Sequence, residues 1–246
     1  VGSLVVVRPS ENGIAGPPDF SDGLKGRLNA FIKTLEAPAM PANPFRRQIT
    51  RLRIRPHAKL PKPCRIRGKN NLNAAHIKLL TLTLELSEDF DARDRPLIKK
   101  LLREYRKCYP LGLDVRDEIA LCAMMLYRHM QWHDIRSLYR AKFGGGSDLA
   151  CSLDIELVFG FDAEEAIGYL NNLPPKKRKP IDRDIIRTIK RYLSQRPEAV
   201  YRSRSEYLQR IEKHLMDCRR EELWAIYGKA LQPLLGYAGY QSTETE

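Results

Sequence analysis

From Leu72 onward the chain reads as a series of helix-length segments whose apolar residues recur every three or four positions, with Gly, Pro, Asp or Ser at the breaks. This punctuation constrains the fold more than any other feature. It predicts helices over Leu72–Glu88, Asp94–Cys108, Val115–Met130, Ile135–Phe143, Asp148–Phe159, Ala163–Leu173, Arg183–Ser194, Ser205–Arg219 and Glu221–Leu235. Asp114, Asp117 and Glu118 put negative charge where the third of these begins, as the helix dipole favours. Gly144-Gly145-Gly146 stops the fourth, and Ser147 or Asp148 restarts the chain. Amphipathic helices with short connections pack as neighbours, so this body is expected to be mainly α, a helical-hairpin bundle or a short solenoid-like stack.

The first 71 residues read differently. Leu4–Arg8 is Val-rich and suits a short strand, and Glu11–Phe20, with Gly13, Gly16, Pro17 and Pro18, suits a loop. Ser21 can cap a helix whose apolar face is Leu24, Leu28, Phe31, Ile32 and Leu35. Pro38, Pro41 and Pro44 mark residues 37–45 as a linker. The expected division is therefore an N-terminal segment, 1–71, with short strands, one helix and a basic arm, followed by an all-α domain, 72–246.

Charge sharpens that division. The net charge is +13, but residues 41–71 hold ten basic side chains and no acid. Residues 176–196 hold nine basic and two acidic side chains, and residues 72–175 hold 13 basic and 16 acidic. In Thr50–Arg55 and Cys64–Arg67 basic and apolar residues alternate, the period of a strand with its cations on one face. Two short extended segments, as in a ribbon, would space these guanidinium groups about 6.7 Å apart, suited to successive phosphates. Phe45 is the aromatic ring close to this stretch, which favours backbone contact over base stacking. The candidate binding residues are Arg46, Arg47, Arg51, Arg53, Arg55, Arg65, Arg67 and Lys69. To these the second cluster adds Lys176, Lys177, Arg178 and Lys179, in a turn resembling a nuclear localisation signal, and Arg183, Arg187 and Lys190 on one face of the helix that follows.

Ala123–Phe143 resembles the middle of a tetratricopeptide repeat, with a small residue at Ala123 and aromatic residues at Trp132 and Tyr139. Ile135 stands where that family prefers Ala, no Pro closes the unit, and no second copy follows at a 34-residue period. The resemblance spans about 20 residues and implies helix pairs stacked side by side.

Catalytic signatures are missing. His129 and His133 have the i, i+4 spacing of a helical metal pair, but Met130 stands where a zincin has Glu, so partly buried structural histidines are expected. The triple glycine lacks the Gly-Lys-Ser/Thr ending of a phosphate-binding loop and is expected to be a flexible connection. The carboxylate pairs Asp89/Asp91, Asp117/Glu118 and Glu164/Glu165 sit beside basic residues or in first turns, where acids stabilise helices. No cofactor and no metal are expected.

The longest apolar run, Ile119–Tyr127, is far short of a membrane span. The N-terminus lacks the pattern of a signal peptide. Five widely spaced cysteines without a CxxC suit a reducing, intracellular compartment, cytoplasmic or, in a eukaryote, nuclear. The expectation is a non-catalytic binding protein that contacts the phosphate backbone of RNA or DNA through two basic segments. The alternative is an adaptor or regulatory module whose helical body docks a partner protein and whose basic arm meets an acidic surface. An enzyme whose active site no motif reveals is the third possibility.

Overall fold

The computed structural model describes residues 44–195 and 197–235. The expected strand at Leu4–Arg8, the loop over Glu11–Phe20, the helix through Leu24–Leu35 and most of the linker lie outside these residues. Among the described residues every regular element is helical. In order they are α1 (Pro44–Ile54), α2 (Leu72–Asp89), α3 (Arg95–Cys108), α4 (Arg116–Arg128), α5 (Ile135–Phe143), α6 (Ser147–Ser152), α7 (Glu156–Phe159), α8 (Ala163–Asn171), α9 (Pro180–Gln195), α10 (Arg204–Arg210) and α11 (Met216–Leu235). A π turn, Ile211–Leu215, joins the last two. The mainly-α expectation holds for this part of the chain.

The extended reading of the first basic segment is corrected. Residues 44–54 form α1 because Phe45, Ile49 and Leu52, at i, i+4 and i+7, are the buried stripe. That burial outweighs the period-two alternation at 50–55. The second alternating run, Cys64–Arg67, lies partly in a 3₁₀ turn, Lys62–Cys64, and forms no ribbon. Cys64 and Ile66 point inward and Arg67 outward, as alternation requires.

Two further boundaries shift. The expected helix Asp148–Phe159 is broken at Leu153, whose backbone is extended (φ −112°, ψ 134°), while the Lys142 ammonium donates to the Ala150 and Leu153 carbonyls. The expected break near Glu221 is missing, since Arg219-Arg220-Glu221 contains no helix breaker and α11 runs through it.

The helices pack in layers set by how apolar they are all round. In α2 every residue from Leu79 to Ser87 is buried, and in α4 every residue from Glu118 to Tyr127. Helices covered on all sides belong in the middle of a stack. Accordingly α2 and α4 touch each other, α3 packs against both, and α11 packs against both. The His76 ring on α2 meets Tyr105 of α3 at 6.3 Å and Tyr227 of α11 at 5.2 Å. By contrast α3 buries one stripe, Leu97, Ile98, Leu101, Leu102, Tyr105 and Cys108, together with Glu104, and of its cations exposes Arg103 and Lys107. Its neighbour α5 packs on α3, α4 and α9.

A recurring ion pair sets where α3, α5 and α9 begin. Asp94, Asp134 and Asp182 each accept a backbone N–H three residues earlier, from Asp91, Gln131 and Lys179, at 2.9, 2.9 and 2.7 Å. Each also accepts a guanidinium from an earlier element. Arg53 Nε is 2.8 Å from Asp94, Arg95 Nε 2.9 Å from Asp134, and Arg136 Nε 2.6 Å from Asp182. All three carboxylates are buried. Burial alone would raise the pKa of Asp134 and Asp182, but their hydrogen bonds to Gln131 N, Lys99 and Arg95, and to Arg136 and Lys179 N, hold both below the ordinary carboxylate range. Because Arg95 and Arg136 stand in the first turns of α3 and α5, these joints set the N-termini of α3, α5 and α9 side by side.

Candidate functional site

The pairing of the acids decides which cations remain available. Arg46 meets Glu85 at 3.0 Å. Arg53 is held by Asp94 and Asp89, which raises its pKa. Half-buried Arg65 donates Nε to the Leu60 carbonyl. Arg47, Arg51, Arg55, Arg67 and Lys69 are exposed. Of the expected binding residues Arg53 is thus structural, and a helical α1 points Arg51 and Arg53 to different sides.

In the second cluster Pro175–Lys177 is a 3₁₀ turn, and Arg178 donates to the Leu173 and Asn171 carbonyls, both at 2.8 Å. Lys176, Lys177, Lys179, Arg183, Arg187 and Lys190 are exposed, with Arg187 3.8 Å from Asp184. Arg178, Lys179 and Arg183 border a cleft of about 400 Å³ at the start of α9. The row of joints places α9 beyond α5, and α1 is joined to the start of α3, so the two basic segments stand apart with α3 and α5 between them.

The groups between them escaped the sequence reading. Helix α3 carries six cations and a single acid, Glu104, inside a region whose net charge is negative. Glu104 is occupied: it accepts Ile66 N at 3.1 Å and Lys107 Nζ at 2.7 Å. Lys100 donates to the Pro56 and Ala58 carbonyls and so pins the 55–66 loop onto α3. Burial and the nearby Arg103 push the Lys100 pKa down. His57, Lys59, Arg65, Lys100 and Arg103 line a cleft of about 220 Å³ between that loop and α3.

Arg103 connects this cleft to a second group of cations. The Arg106 pKa is lowered by burial, then by Arg140 and Arg103. Arg106 lies against Gly144: a methyl there would fall 2.9 Å from both Nε and Nη2, and closer still to the Arg140 carbonyl. Glycine at 144 therefore gives the guanidinium its resting place. Arg106 Nε is buried without a hydrogen-bond partner, a condition that costs about 1–3 kcal/mol and more for a charged group. Among the described residues no carboxylate forms an ion pair with Arg103, Arg106 or Arg140. The signal for this face was present in the sequence as Lys100, Arg103 and Lys107 at i, i+3 and i+7.

His129 and His133 do not share a helix. α4 ends at Arg128, His129 packs on Phe90 at 5.5 Å, and His133 lies in the 3₁₀ turn Trp132–Asp134. Burial lowers both pKa values. Among the described residues no three His, Cys, Asp or Glu side chains are grouped as for a metal ion. Nor is any described helix long and apolar enough to cross a membrane. Comparison with family models, with curated proteins and with solved structures finds no match for this chain.

Proposed function

We propose that the chain binds nucleic acid through its phosphate backbone and catalyses no reaction. The observation that carries this reading is the unneutralised cluster on α3 and α5. Arg103, Arg106 and Arg140 form no ion pair with a carboxylate among the described residues, and Arg103 also lines the cleft walled by Lys59, Arg65 and Lys100. Like charges held close destabilise the compact state, so their retention on one face favours a polyanionic ligand that neutralises them. Arginine forks suit phosphate oxygens, and the cleft lining has no Phe, Tyr or Trp on which a base would stack. Exposed Arg47, Arg51, Arg55, Arg67 and Lys69, and exposed Lys176, Lys177, Lys179, Arg183, Arg187 and Lys190, add positive charge to the surface of the same chain.

Fluorescence anisotropy with random-sequence RNA and DNA, titrated at several salt concentrations, tests this. Affinity should fall log-linearly with salt, and replacing Arg103 and Arg140 together by Gln should reduce the slope by roughly 2. A slope near zero, or no binding at low salt, refutes the reading.

A further inference from the structure

A cleft of about 270 Å³ opens where α7, the start of α8, the end of α9 and the start of α10 come together. Its chemistry is the reverse of the cationic clefts. Four rings line it, Tyr127, Phe159, Phe161 and Tyr201. Three carboxylates join them, Glu156, Asp162 and Glu206, against one guanidinium, Arg202. A chain of net charge +13 thus keeps one cleft with a negative, aromatic lining. We propose that this cleft binds an arginine or lysine side chain presented by a partner polypeptide, at a site independent of the nucleic-acid reading.

The carboxylates have capacity to spare. Asp162 precedes α8, but its side chain makes no capping hydrogen bond and no ion pair among the described residues. Glu206 is engaged through Oε2 alone, which accepts Ser203 N and Oγ, both at 2.7 Å. The Glu156 side chain is 9% exposed. Arg202 donates to its Oε1 at 2.9 Å, and its Oε2 has no partner among the described residues. The rings already hold one cation, for the guanidinium of Arg204 lies 4.6 Å from the Tyr127 centroid and 4.7 Å from that of Phe161. Phe159 and Tyr201, edge to face at 5.0 Å, carry no such cation among the described residues.

A basic side chain has an apolar stem and a charged head, and it binds where the stem meets apolar walls and the head meets oxygens. Leu193 and Ala163 complete such walls. The volume falls just below the range of about 300–1,000 Å³ that holds a whole drug-sized ligand, so it suits a single side chain. Val200, 97% exposed, immediately precedes Tyr201 and offers apolar contact to residues flanking the guest. The same carboxylates repel phosphate, which keeps a nucleic-acid strand out of this cleft.

The test titrates the full isotope-labelled chain with capped peptides Gly-Ala-Xaa-Ala-Gly, where Xaa is Arg, Lys, citrulline or norleucine, and follows amide chemical shifts. The Arg or the Lys peptide should bind about tenfold more tightly than its neutral counterpart, citrulline or norleucine, with shifts centred on residues 156–163 and 201–206. Asp162→Asn with Glu206→Gln keeps residue types that cap helices, and should bring that ratio close to one. Thermal melting checks that the variant folds. Glu164→Gln with Glu165→Gln removes as much charge from the exposed side of α8, outside the cleft, and should leave the ratio unchanged. Equal binding of charged and neutral peptides, or no binding, overturns the site and leaves the nucleic-acid reading untouched. An equal loss in both double variants shows attraction to surface charge alone and also overturns it. Choline that displaces the bound peptide at concentrations below the peptide's own Kd overturns the assignment to a polypeptide side chain.

Discussion

Asp134 combines three tasks in one carboxylate. It caps its own turn through Gln131 N, holds Arg95, and accepts Lys99 at 2.8 Å. Asp134→Ala should therefore leave two cations without their partner in a site where the carboxylate is buried. Breaking such a pair costs about 3–5 kcal/mol, so urea denaturation should show a loss of that order. A loss under about 1 kcal/mol would show that the joint contributes little. Gly144→Ala acts at a different point, by forcing the Arg106 guanidinium and the end of α5 apart. Overpacking of this kind should lower stability by about 1–3 kcal/mol, read by the same denaturation. An unchanged midpoint would mean that Arg106 finds another resting place.

The helices themselves were legible wherever one face alone is buried. α3 and α5 match the sequence reading to within one residue because their apolar stripes are flanked by charge. Helix α1 was not legible, since Arg51-Leu52-Arg53-Ile54-Arg55 alternates like a strand. Its true stripe begins at Phe45, inside what reads as a proline-rich linker. The candidate site was half legible. Local charge runs marked 46–69 and 176–190, but the Arg103–Arg106–Arg140 cluster depends on two helices meeting. It also depends on acids of the same region turning inward, and neither is a property of a sequence window. α11 is a further case, for its length is readable while its seat across α2 and α4 is not. A chain ending at Leu215 should lose the cover over α2 and α4 that Leu223 and Leu231 provide. It should bind a hydrophobic dye and melt without a sharp transition. A truncated chain melting like the full one would show that α11 is dispensable.

At the scale of the whole molecule, the stack has one side closed by α11 and another that presents the cations of α3 and α5. The acids that link the helices also set the response to acid. Asp134 and Asp182 have depressed pKa values in the fold, so their stabilisation is complete above the ordinary carboxylate pKa and is lost as pH falls through the lower, folded values. Acid unfolding monitored by circular dichroism should begin below about pH 4. Unfolding centred near pH 6 would point to other groups. The cysteines offer an independent check on packing. Cys151 and Cys218 are exposed, whereas Cys64, Cys108 and Cys122 are buried, and burial pushes Cys64 up to about 11 and Cys108 to about 12. A thiol reagent at neutral pH should label the two exposed cysteines in the native chain and all five after denaturation. Rapid native labelling of Cys122 would contradict the packing of α4.

The joints between helices and the open face use the same chemistry, guanidinium with oxyanion, under opposite exposure. Screening by dissolved ions weakens contacts at the surface far more than those sealed inside. The scaffold should thus survive a brine strong enough to release any polyanion held on the open face. Protein released from a phosphate-bearing resin by a salt gradient should leave the column still folded, ready to be reloaded on dilution.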